Sequence, residues 1–186
     1  DRFPKGTKIK LIQTTTKYFY VTATAFSTDT TITITGGSDY NLANEAISGQ
    51  AYSYADTPQG FVQWFNYTPV WSCVTGAAPS LGNGTLRGRF RIIGTSLLML
   101  LRLVWGSTTT GGDGGAWSFG IPVNAENTTP FGYYGFCHIR DSGTANYERF
   151  AQLAPSISDN SIRGFLGLDN ATNLNNLTYN TPFAWG

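Results

Sequence analysis

Residues 86–105 read L-R-G-R-F-R-I-I-G-T-S-L-L-M-L-L-R-L-V-W, and the pattern of this stretch decides the fold class. Leu86, Gly88, Phe90 and Ile92 alternate with Arg87, Arg89 and Arg91, the period of two that sends successive side chains to opposite faces of a strand. Gly94 ends that strand and Ser96 begins the next. There Leu97, Met99, Leu101, Leu103 and Trp105 share one face, while Leu98, Leu100, Arg102 and Val104 make the other mostly apolar too. Antiparallel strands usually keep one face wet, so a strand apolar on both faces needs cover on both sides. The expected cover is a second sheet or a neighbouring subunit, which makes Leu98, Leu100, Arg102 and Val104 the candidate oligomer interface.

Working outward, strand signals continue in both directions. Residues 17–25, K-Y-F-Y-V-T-A-T-A, set Phe19, Val21 and Ala23 against Tyr18, Tyr20 and Thr22. Residues 30–35 alternate Thr with Ile32 and Ile34 and end at Gly36-Gly37, a half-buried strand followed by a turn. A short helical turn is expected over residues 40–47 and another short strand over 51–54. Thr57-Pro58-Gln59-Gly60 then breaks the pattern. Past residue 105 a Gly-rich loop at 106–115 is expected to be a hairpin tip. Further strands are expected around Trp117–Val123, Phe131–Ile139, Tyr147–Phe150 and Ile162–Leu168. The expected architecture is all-β: a small N-terminal β-module (1–60), an aromatic junction (61–71) and a C-terminal antiparallel, jelly-roll-like β-sandwich (72–186).

The composition agrees. Of 186 residues, 12% are charged and 15% aromatic, which favours stranded structure with Gly- and Asn-rich turns over disorder. So little charge also suits a surface partly covered by other subunits. A net charge of +1 argues against nucleic acid as a partner, and the longest apolar run, 97–105, is too short for a membrane helix and contains Arg102. The first residues, Asp1-Arg2-Phe3-Pro4, have no signal-peptide character, so a processed or truncated start is expected. Cys73 and Cys137 are the only cysteines, and two buried thiols are expected rather than a disulfide scaffold. Asn-x-Thr sequons at Asn66, Asn83, Asn127, Asn170 and Asn176 are common enough in so Asn- and Thr-rich a chain to arise by chance.

Residues 83–123 contain N-G-T-L-R-G-R, W-G-S-T-T-T and W-S-F-G-I-P-V, and in this they resemble a segment of bacteriophage and prophage virion proteins. T-P-V-W at 68–71 matches the family's Trp-containing entry in part, because Tyr67 stands where a Trp is common. The N-terminal half is similar to modules of the same proteins at G-T-K-I-K (6–10), 17–21, G-G-S-D-Y-N-L (36–42) and Y-S-Y-A-D-T-P-Q-G-F (52–61). In that family the chain often runs on past an aromatic-Gly pair like Trp185-Gly186, so a closing strand is expected beyond it. The resemblance implies a tail-fibre, tail-tip or capsid-surface protein of the virion, usually trimeric, with other virion proteins as partners.

Chemistry is sparse. His138, the sole histidine, neighbours Cys137, but adjacent strand residues point to opposite faces and make no Cys–His pair. No Gly-x-Ser-x-Gly elbow occurs, and Gly111-Gly112-Asp113-Gly114-Gly115 lacks the Gly-Lys-Ser/Thr of a phosphate loop. Asp141, Glu148, Asp159 and Asp169 could supply a glycosidase carboxylate pair, which needs a defined separation that spacing in sequence does not give. No enzyme activity, metal or cofactor is expected. Two features carry a binding expectation. Arg87, Arg89 and Arg91 form a basic stripe, either a plain exposed face or a contact for phosphates and acidic sugars on a host surface. Phe61, Trp64, Phe65, Tyr67 and Trp71 form an aromatic group, of which Trp64 and Trp71 are the candidate sugar contacts and whose plainer role is to fill the junction. A tail component for host attachment is the leading expectation. A capsid decoration protein, a secreted lectin-like module and a glycan-degrading enzyme follow in that order.

Overall fold

The computed structural model describes residues 2–113, 115–124, 135–140, 148–156, 161–167 and 174–176. The chain is all-β, with no helix among the described residues and the strands pairing antiparallel. It forms two compact units that interleave in sequence. One comprises Asp1–Thr68 and Leu86–Arg102, the other Pro69–Thr85 and Leu103–Gly186. The hairpin at 85–104, which the sequence groups with the C-terminal portion, therefore gives most of its length to the first unit.

In the first unit, β1 (Lys8–Ile12), β2 (Thr16–Phe26), β3 (Thr30–Thr35) and β4 (Ser48–Ser53) form one sheet in the order β3-β2-β1-β4. A second sheet runs β5-β7-β8, from β5 (Phe65–Tyr67), β7 (Thr85–Ile93) and β8 (Ser96–Val104). Rings hold the first unit together. Tyr20 of β2 lies edge-on to Phe65 of β5 at 5.1 Å and to Phe61 at 5.3 Å, and Phe65 lies 5.9 Å from Phe90 of β7. Phe65 and Phe90 are wholly buried, and such ring pairs add about 0.5–1.5 kcal/mol each beyond the area they cover.

The β2 reading holds for Phe19 and Val21, but Tyr20, expected on the opposite face, is buried as well. The strand is covered on both sides, and its pairing with β3 shifts register between Val21 and Ala23. Residues 41–47 are an exposed loop rather than the expected helical turn. Their backbone is held from outside: Gln13 Nε2 donates to the Ala43 carbonyl at 2.9 Å, and the Ala43 N–H donates to Gln13 Oε1 at 3.1 Å. The Glu45 carboxylate takes the N–H and hydroxyl of Thr14, which lowers its pKa below the ordinary carboxylate value.

In the second unit, β6 (Trp71–Cys73), β9 (Trp117–Gly120), β10 (Gly135–Arg140), β11 (Glu148–Ser156) and β12 (Ser161–Gly167) order as β10-β11-β12-β9-β6, with β13 (Leu174–Asn176) also on β12. The expected alternation through Val123 stops early, because β9 ends at Gly120. The Gly-rich loop is not a hairpin tip. It carries the chain out of the β5-β7-β8 sheet to β9, which pairs with β6 and β12. Trp71 stacks parallel to Phe119 (6.2 Å, 7°) and edge-on to Trp117 (5.2 Å), and Ser118 Oγ donates to Ser161 Oγ at 2.6 Å between β9 and β12.

Candidate functional site

The outward face of the β5-β7-β8 sheet collects most of the residues the sequence singled out. Phe65 pairs with Phe90, Asn66 with Arg89 and Tyr67 with Gly88. Phe65, Tyr67, Gly88, Phe90 and Ile92 are buried, so alternation turns Trp64, Asn66, Arg87, Arg89 and Arg91 outward. The two-residue turn Gly94-Thr95 leads from β7 into β8, the next strand of the sheet, whose exposed positions include Leu98 and Leu100. Across β5 and β7, Asn66 lies opposite Arg89, and Trp64 lies against Arg91. The face grades from aromatic and polar on β5, through cationic on β7, to apolar on the edge strand β8. Leu98 is 38% exposed, Leu100 58%, and Arg102 lies exposed beyond them.

The cationic row is ordered by the indole. The guanidinium carbons of Arg91 and Arg89 lie 5.2 and 5.9 Å from the Trp64 ring centroid. Stacking of this kind contributes about 0.5–1 kcal/mol at exposed sites. No carboxylate among the described residues forms an ion pair with Arg87, Arg89 or Arg91. Arg91 Nε is shielded from water and has no acceptor among the described residues. The neighbouring Asp39 carboxylate is tied to Asn66 through both oxygens, at 2.7 Å from the backbone N–H and 2.9 Å from Nδ2. Gly37 makes that turn possible: its φ is +60°, and a Cβ there would lie 2.1 Å from the Asn66 carbonyl oxygen.

The other candidates are placed elsewhere. Trp71 does not join Trp64; it belongs to the second unit and packs with Trp105, Trp117 and Phe119. The aromatic group read as a junction is thus divided between two interiors, with Phe61, Phe65 and Tyr67 serving the first. Val104 is 41% exposed but falls in the second unit's share of β8. His138 is exposed on β10. Asp141, Asp159 and Asp169 and the side chains of Cys137 and Glu148 lie outside the described residues. Cys73 is half-buried, and burial, with Asp113 adding to it, raises its thiol pKa. Burial pushes Tyr67 up to about 12, and Lys8, its side chain enclosed 4.0 Å from Asp56, is lowered by loss of hydration.

Two of the motifs that carried the family resemblance, N-G-T and W-G-S-T-T-T, meet in the second unit. Asn83 Oδ1 accepts from the Thr108 N–H at 2.9 Å and hydroxyl at 3.0 Å, and the Asn83 N–H donates back to Thr108 Oγ1 at 2.9 Å. Thr109 Oγ1 donates to the Leu81 carbonyl at 2.6 Å and accepts from the Gly106 N–H at 2.9 Å. N-G-T and W-G-S-T-T-T therefore clasp each other through side-chain bonds, which accounts for their residue types without any ligand.

This chain matches no family model, no curated protein and no solved structure. Two residues of the cationic face escaped the sequence reading, Asn66 and Asp39. Asn66 sits in a three-residue strand too short to show a period, and Asp39 reaches it across a turn 27 residues away.

Proposed function

We propose that this chain is a non-enzymatic structural protein of a bacteriophage particle, a tail-fibre or tail-tip component in host attachment that works as a trimer. The observation that carries the reading is the edge strand β8, which holds Leu98 and Leu100 on an exposed face. Full burial of a leucine is worth about 1.5–3 kcal/mol, and long apolar edge strands are usually covered or blunted by charge. Arg102 alone blunts this one. A neighbouring subunit on β8 covers the leucines and leaves the β5 side of the face, with Trp64 and Arg91, open. The low charge content and the virion-protein resemblance of residues 83–123 point the same way. The jelly-roll-like sandwich of the C-terminal portion belongs to the same reading, as the rigid scaffold for loops at its ends.

Immunogold electron microscopy of purified particles, with antibodies raised against this chain, tests the proposal. Gold at the tail end is the expected result. Gold over the whole head replaces the reading with capsid decoration, for which a doubly apolar strand is equally apt. Unlabelled particles refute both and favour a secreted lectin-like module.

A further inference from the structure

The Trp64, Arg89 and Arg91 cluster does not need the leucines beside it to explain it, and packing does not explain it either. Side chains two apart on one strand face lie about 7 Å from each other, so both guanidinium groups reach a single bound anion. Each is already ordered against one indole, which removes part of the entropy cost of fixing a long side chain on binding. Two like charges share one ring with no carboxylate paired to either among the described residues, and Asp39 is occupied by Asn66. Arg91 Nε is shielded from water and has no acceptor among the described residues, which leaves that group under-satisfied. Trp64 is half-buried, so its indole is not spent wholly on the interior.

We infer that Trp64, Arg89 and Arg91 form a subsite for an acidic saccharide, the carboxylate or phosphate held by the two guanidinium groups and a sugar face resting on the indole. Neutral sugars lack the anion that the arginines require, and inorganic phosphate lacks the ring. The biological target, a host-surface polymer, rests on the attachment reading; the binding itself does not.

The test is calorimetry on the full chain with three probes: oligogalacturonate, a glycerol-phosphate polymer and neutral maltotriose. At least one anionic probe is expected to bind, with affinity falling several-fold as salt rises from about 50 to about 300 mM, and maltotriose is not. Which anionic probe binds distinguishes carboxylate from phosphate. Arg89→Gln, an exposed change that spares the core, and Arg91→Gln are each expected to weaken binding at least tenfold. Lys10→Gln, an exposed charge on β1, is expected to leave it unchanged. The inference is overturned if neither anionic probe binds, if maltotriose binds as well as they do, or if Lys10→Gln costs as much as Arg89→Gln. Gold at the tail with no saccharide binding sinks the site alone. Binding by a chain absent from particles sinks the attachment reading alone.

Discussion

Replacing Gly88 with alanine tests the packing of the first unit at one atom. Gly88 sits in the middle of β7 directly across from Tyr67, with no left-handed backbone to protect. On backbone grounds alone, Gly→Ala in a strand interior should stabilise by about 0.5–1 kcal/mol. The structure predicts the opposite sign. A Cβ at this position would lie 2.2 Å from Tyr67 Cε1, where ordinary contact begins at 3.4 Å, so ring or strand must yield by about 1.2 Å. Tyr67 has little room to do so, being buried, with Phe90 edge-on at 5.9 Å. Overpacking of this kind costs about 1–3 kcal/mol, leaving a net loss of about 0.5–2 kcal/mol.

The decisive measurement is a double-mutant cycle followed by urea denaturation with circular dichroism. In a Tyr67→Ala background the obstacle is gone, and Gly88→Ala should recover its intrinsic gain of about 0.5–1 kcal/mol. The coupling between the two sites is then about 1–3 kcal/mol. In thermal scans each kcal/mol corresponds to about 2–4 °C for a chain of this size. Gly88→Ala stabilising both backgrounds, or costing the same in both, would refute the ring-on-glycine packing and with it the β5–β7 register.

Other perturbations probe separate features. Because the folded pKa of Tyr67 is raised to about 12 from 10.0, the native state resists ionisation while the unfolded chain does not. Stability should be full below pH 10 and fall by about 2–3 kcal/mol as pH rises through 12, and Tyr67→Phe should lessen that fall in alkaline urea titrations. Lys8 shifts in the opposite direction, so the unfolded state holds its proton longer and stability gains from this group as pH rises toward 10.5. Lys8→Met should remove that gain and leave neutral-pH stability unchanged or higher by about 1–2 kcal/mol. Leu100→Asp, placing a charge at the centre of the exposed β8 face, should turn the proposed trimer into monomers in sedimentation without lowering the monomer's melting temperature by more than about 1–2 °C. Glu45, with its folded pKa lowered by Thr14, contributes stability above its unfolded value of 4.5 that is lost as pH falls through the folded value. Thr14→Val should flatten that acid limb in denaturation curves.

The all-β class was legible because β3 and β7 alternate at a period of two over nearly their whole length, and period survives whatever the strand packs against. β1 is hard to read as a strand because its sequence, Lys-Ile-Lys-Leu-Ile, suggests a wet lysine at each end of its first three residues, whereas Lys8 is buried against Tyr20 and Asp56. β5 and β6, three residues each, are shorter than any period, so Phe65, Tyr67 and Trp71 read as one aromatic group although they serve different interiors. The partner of a strand is a non-local choice, and nothing in the Gly-rich run 106–115 records that β9 leaves the hairpin for β6 and β12. At the candidate site the arginine stripe could be read from its spacing alone. That Trp64 stacks on Arg89 and Arg91 needed the β5–β7 register, which no local pattern encodes.

The way the chain passes from one unit to the other and back also limits how such a protein can be exchanged between genomes. A crossover inside residues 69–102 separates parts of the first unit, and nearly everywhere in that window parts of the second too, because segments of the two units alternate there. Only a crossover past residue 102 leaves the first unit whole. The proposed binding face can still vary by point changes at exposed positions such as Arg89, where an altered side chain disturbs neither interior.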